Sequence, residues 1–204
     1  MTTKRCLLHP VTMFYILDCD EPLSPNGEAL MEIHNTFRVG GIRLWKSGAR
    51  HTKPVPEPIE IPFDTFRGYN GPPVELLDLG IPVMSARLAK ALTDAGVSNI
   101  DFYDATLVHS TTGARFPCKA YNIIGLVAAA DLGKREWFSD DGTPLINVSF
   151  TRLALDESAC RDQQLFRLAE NVNAIVVNAK LRDYLIAEGF TTLRFKKPED
   201  WVQL

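Results

Sequence analysis

Apolar and polar positions run in the same order twice along this chain. Residues 85–102 read SARLAKALTDAGVSNIDF and residues 178–195 read NAKLRDYLIAEGFTTLRF, a constant offset of 93 with no gap. Five positions are identical: Ala86/Ala179, Leu88/Leu181, Leu92/Leu185, Gly96/Gly189 and Phe102/Phe195. A short apolar run precedes each copy. Ser85 or Asn178 then stands where a side-chain oxygen can accept from an orphan backbone N–H and start a helix. Two leucines four apart define an inner stripe. Gly96 and Gly189 fit the left-handed position that ends a helix. Ile100/Phe102 and Leu193/Phe195 then alternate like a strand. Each copy is thus expected to be strand, helix, glycine stop, strand. Two copies are too few for a solenoid, which needs about three or more.

The rest of the chain reads mostly as strand. Residues 11–17 (VTMFYIL) are rich in β-formers, and 29–34 and 42–45 are further strand candidates. Residues 53–62 hold four prolines in ten. They predict an extended strap that crosses between an N-terminal part and the first unit and stays out of a sheet centre. Residues 101–109 and 115–124 flank a Ser-Thr-Thr-Gly turn and predict a hairpin with Thr106 opposite Cys118, extended by 126–131. Residues 145–155 and 164–170 complete the strands. Many strands with few helices, and no strict βαβ alternation, predict an α+β fold: a mostly antiparallel sheet carrying two similar strand–helix–strand units. The 204 residues read as one domain, with an N-terminal part over 1–62 and the two units within 77–204.

Composition narrows the function classes. Apolar and charged fractions are ordinary for a globular protein. A net charge of −3 argues against broad nucleic-acid binding. Arg43, Lys46, Arg50 and Lys53 form a local basic stretch that reads as a solvated loop. The longest apolar stretch, residues 123–130, is far short of a membrane span. With no secretory signal and four irregularly spaced cysteines, a cytoplasmic protein is expected.

Motifs for chemistry are sparse. No phosphate loop, nucleophile elbow, metal spacing or cofactor motif is read, and no cofactor is expected. Cys118 with His109 and Asp104 is the best catalytic candidate, but the expected register holds Cys118 and His109 roughly 10 Å apart at strand rise. Acidic residues cluster at Asp18, Asp20 and Glu21, and at Glu136, Asp140 and Asp141 around Trp137 and Phe138. An aromatic anchor among carboxylates suits capture of a basic protein. Trp137 and Phe138 read first as cover for the core and second as such an anchor.

Residues 77–131 resemble the Imm11-type (DUF1629) bacterial immunity proteins. The resemblance rests on Gly80 to Ser85, Gly96-Val97, Asn99 to Phe102 and Tyr121-Asn122-Ile123, and on the ending Gly189-Phe190 with Leu193-Arg194-Phe195. It implies a non-enzymatic protein that binds and neutralises a cognate secreted toxin, a type VI or contact-dependent effector. The partner would be that protein toxin, with a basic nuclease the class suggested by charge. The expected contact residues are Asp18, Asp20, Glu21, Glu136, Trp137, Phe138, Asp140 and Asp141. The rival readings are a regulatory protein-binding subunit and a Cys-dependent hydrolase.

Overall fold

A computed structural model describes residues 14–34, 38–131, 137–138, 149–160 and 162–202, with 137–138 and 149 by backbone alone. The fold is α+β. The first unit is strand β5 (Val83–Ser85), helix α1 (Ala86–Asp94) and strand β6 (Ile100–His109); the second is β12 (Ile175–Asn178), α2 (Ala179–Ala187) and β13 (Leu193–Lys196). The Ser85 hydroxyl accepts from Leu88 N at 3.0 Å, and the Asn178 carboxamide accepts from Leu181 N at 2.8 Å. Both helices end in the same way. Gly96 and Gly189 have φ of 84° and 76°. The next amide, of Val97 or Phe190, reaches back to the carbonyl of Leu92 or Leu185. This is the Schellman stop.

In neither unit do the two strands touch. β7 (Arg115–Ile123) lies between β5 and β6, and β1 (Phe14–Cys19) lies between β12 and β13, antiparallel to both neighbours in each case. Each unit is therefore a split β-α-β motif. The register is shared: Val83 faces Ala120 and Ile100 faces Ile123, as Val176 faces Ile16 and Leu193 faces Cys19. An outer antiparallel neighbour completes the likeness, β4 (Leu76–Leu77) beside β5 and β11 (Leu165–Leu168) beside β12.

The six-stranded sheet runs β2-β3-β6-β7-β5-β4, with β2 at Met31–Ile33 and β3 at Ile59–Thr65. The five-stranded sheet runs β13-β1-β12-β11-β8, with β8 at Leu126–Val127. A central core takes Leu88, Leu92, Leu181 and Leu185 from the helices, Tyr121 and Ile123 from one sheet, and Leu17, Ile175 and Val177 from the other. The opposite sheet faces are buried too. Phe14, Ile16, Phe166 and Val176 pack with Phe150 and Trp201. Val83, Leu107 and Ala120 pack with Ile42 and Trp45. Burial on both faces explains why these strands read as apolar runs rather than strict alternation.

Four expectations need correction. Residues 42–45 form no strand: Gly40 and Gly41, both at positive φ, turn the chain so that Ile42 only bridges Val39. The proline strap does enter the sheet, because Pro62 lies inside β3 between two strands. Its missing N–H faces His34, whose own amide donates to the Pro62 carbonyl just past the end of β2, so a single ladder bond is lost. The hairpin slips by one residue, with Cys118 opposite Ala105 and Thr106 opposite Pro117, because His109 pairs with Ala114 and closes a loop of residues 110–113. Residues 126–131 do not extend it: Gly125 at φ 88° turns β8 into the other sheet, parallel to β11. Of residues 145–155, the first four lie outside the described residues. Ser149–Phe150 form β10, paired with β9 (Trp137–Phe138).

Candidate functional site

The catalytic candidate is taken apart by its surroundings. Burial pushes the Cys118 thiol up to about 11, against a smaller opposing pull from the Leu107 backbone and Lys119. At neutral pH that leaves on the order of one thiolate in a thousand or fewer. His109 lies beyond Leu107 on the strand, opposite Ala114. Its Nδ1 accepts from the amides of Thr111 and Thr112 at 3.2 and 3.3 Å. Its Nε2 then carries the proton and donates to Thr65 Oγ1 at 3.0 Å. The imidazole is a loop staple. Asp104 is ion-paired with Lys119. Cys160 is pushed up to about 12 by burial and by nearby Asp156, Glu157 and Glu170.

The first acidic cluster lies along the β1–β13 border. Asp18 pairs with Lys196 at 2.8 Å, and Asp20 pairs with Arg194. These two carboxylates carry cross-strand cations beside them and present little net negative charge. Glu21 is exposed, and with Asp20 it lines a groove of roughly 430 Å³ between the 69–75 loop and Thr191-Thr192. Of the second cluster, Glu136, Asp140 and Asp141 lie outside the described residues. Trp137 and Phe138 sit on β9, where only their backbone is described.

A buried polar cluster lies elsewhere among the described residues. Arg167 is fully buried on β11. Leu165 faces the central core while Phe166 and Leu168 face the outer one, so strand alternation turns Arg167 toward the centre. There its guanidinium grips Asp78 with both terminal nitrogens, at 2.5 and 2.9 Å, and donates to the Val172 carbonyl at 2.6 Å. Tyr121 donates to Asp78 at 2.8 Å, and Lys46 lies 2.9 Å from the same carboxylate. Burial alone would raise the Asp78 carboxyl. The charge and hydrogen bonds of Arg167, with help from Lys46, outweigh it and hold the carboxyl below its ordinary value. Burial pulls the Lys46 ammonium below its usual range, more than Asp78 restores. This knot joins the two sheets. Its one sequence signal is an arginine inside the apolar run LFRL.

The basic stretch is only partly solvated. Lys46 is tied into the knot, and Arg50 pairs with Asp101. Trp45 is 2% exposed and stacks edge-on against His51, 4.6 Å between ring centres. Burial lowers the His51 imidazole, with a smaller opposing effect from Asp101. Arg43, Leu44 and Lys53 stay outside, around an open pocket of roughly 460 Å³. Among the described residues, no group of three or more His, Cys, Asp or Glu is placed to hold a metal. No helix among them is long and apolar enough to cross a membrane. Compared with protein-family models and with curated proteins, the chain matches none.

Proposed function

We propose that this chain is a bacterial immunity protein. It binds one cognate secreted toxin, of the type VI or contact-dependent kind, and neutralises it by covering the active site or substrate groove. A toxin acting in the cytoplasm fits best, and nucleases are one such class. The observation that carries this reading is how the chain uses its reactive side chains. Arg167, Asp78, Lys46 and Tyr121 are bonded to one another across the sheets. Cys118 is buried with its thiol held protonated, and His109 staples a loop. The segments that resemble immunity proteins, such as Gly80 to Ser85 and Gly96-Val97, supply caps, turns and core. Chemistry spent on cohesion leaves the loops to act by surface complementarity, as in binders whose affinity comes from a few anchors.

The test is a pull-down of the tagged chain against a catalytically dead product of a neighbouring toxin gene, paired with rescue of cells that express the active toxin. A stoichiometric complex with rescue is the expected result. No complex from a folded, monodisperse protein would remove the immunity reading and favour a regulatory subunit.

A further inference from the structure

Between Glu32 and Glu57 the chain carries five cations, Arg38, Arg43, Lys46, Arg50 and Lys53, and no acid, although the whole chain has a net charge of −3. The fold sorts these cations. Lys46 and Arg50 are held by Asp78 and Asp101. Arg43 and Lys53 are exposed and have no ion-pair or hydrogen-bond partner among the described residues. Both line the same open pocket, and the Lys53 ammonium lies over Gly41, 3.5 Å from where a Cβ there would stand. Between them Leu44 is 71% exposed, the most exposed large apolar side chain among the described residues.

This loop is anchored from beneath. Trp45 is buried in the outer core against Tyr103 and His51. The Ala49 carbonyl accepts from the buried Asn122 side chain at 2.8 Å. The Gly48 carbonyl accepts from Gly125 N, and a Cβ at Gly48 would meet Leu126 at 2.7 Å. A loop held at Trp45, Lys46, Gly48, Ala49 and Arg50 loses little freedom on binding, which favours affinity. Its exposed tips are a leucine and two cations that have no ion-pair partner among the described residues.

We propose that residues 41–53 form the docking surface for the partner protein, and that the partner presents carboxylates around an apolar socket that receives Leu44. The proposal rests on the immunity reading and gives it a surface and a charge sign. Local charge, not net charge, decides where the partner sits: the Asp18 and Asp20 carboxylates are already matched by Lys196 and Arg194, whereas Arg43 and Lys53 have no ion-pair partner among the described residues. The expected partner face is therefore acidic, whatever the net charge of the toxin as a whole.

The experiment compares wild type, the double variant R43E/K53E, and L44A, each confirmed folded by its thermal transition. The first probe is the catalytically dead toxin product. Charge reversal should slow association about tenfold or more at low ionic strength, with the difference shrinking in high salt. L44A should speed dissociation about tenfold. Equal association of wild type and R43E/K53E at low salt would overturn the surface and leave the immunity reading standing. The second probe is a twenty-residue polyglutamate peptide, followed by amide chemical shifts, and it does not depend on that reading. If the toxin fails to bind wild type, shifts confined to 41–53 and lost in R43E/K53E still support the surface. Shifts absent, or centred elsewhere, overturn it.

Discussion

The two strand–helix–strand units share caps, stops and register, yet they obtain their middle strand differently. In the first, β7 follows β6 directly through the 110–113 loop. In the second, β1 arrives from the opposite end of the chain, with the pairing Ile16 to Lys196 spanning almost its whole length. The slot is the same: Tyr121 and Ile123 face the central core from β7 as Leu17 and partly buried Cys19 do from β1. A split β-α-β unit therefore needs an antiparallel apolar strand of the right register between its parallel pair. It does not matter from where in the sequence that strand comes. The units also touch. Arg87 of α1 donates to the Glu188 carbonyl at the end of α2 at 2.6 Å, and its guanidinium lies 3.9 Å above the Phe190 ring. A cation there satisfies an orphan carbonyl and faces the negative end of the helix dipole.

If the units are held as one body by the buried knot, breaking it should have the largest effect. Asp78→Asn leaves the buried Arg167 without its counter-charge, at a cost of about 3–5 kcal/mol, and Arg167→Ala, which leaves Asp78 with Lys46 alone, should cost somewhat less. Urea unfolding should show the loss as a lower midpoint. The two single changes should be strongly non-additive in a double-mutant cycle. Additive losses would mean that the knot is not the joint. Replacing both with apolar residues should recover only part, because Lys46 would lose its counter-charge, keeping only the Asp78 and Asn173 carbonyl oxygens, and the Tyr121 hydroxyl would lose its acceptor.

The same pair sets a pH dependence. The folded-state value of Asp78 lies below the ordinary aspartate value. Its contribution to stability is therefore fully present above about pH 4 and falls away as the pH drops through the lower, folded-state value. Asp78→Asn should be less stable than wild type at neutral pH, and the gap should narrow in acid. A constant gap from neutral pH down to pH 2 would argue against this.

A smaller effect compares the two helix stops. Ala at Gly96 or Gly189 must adopt positive φ, at a cost of about 1 kcal/mol or somewhat more. Space is not the issue, since a Cβ would meet only Gln164 Nε2 at 3.9 Å or Arg87 Nη2 at 3.7 Å. Equal losses are expected, and they would show that the two stops are energetically equivalent. A markedly larger loss at Gly189 would implicate the Arg87 cap rather than the backbone.

What could be read along the chain follows the range of the interaction. Ser85 to Leu88 and Asn178 to Leu181 are bonds over three residues, and the glycine stops are as local, so both units were legible. Asp78 and Arg167 are 89 residues apart, and no periodicity points one at the other. Gly125 steers β8 into the second sheet, but which sheet receives it depends on β11. Pro62 is tolerated inside β3 because β2 is so short. The candidate surface divides in the same way. The local basic stretch was visible but read as a solvated loop, and the sorting of Lys46 and Arg50 from Arg43 and Lys53 required Asp78 and Asp101 to be in place.

The smallest expected effect tests the opening comparison most directly. β13 runs antiparallel to β1, with Lys196 opposite Ile16, so the end of β13 lies beside the start of β1 as the end of β6 lies beside the start of β7. A circular permutant can join the chain ends through a flexible linker and open the exposed turn between Asn26 and Gly27. In that chain β1 follows β13, as β7 follows β6. Gly27 has open space around it, so the new ends disturb no packing. The permutant should unfold cooperatively with a midpoint close to wild type, and the second unit should form more local contacts, which favours faster folding. If it folds only as a loosened species with a broad transition, the N-terminal entry of β1 matters in its own right. The two slots would then be alike in geometry but not in what fills them.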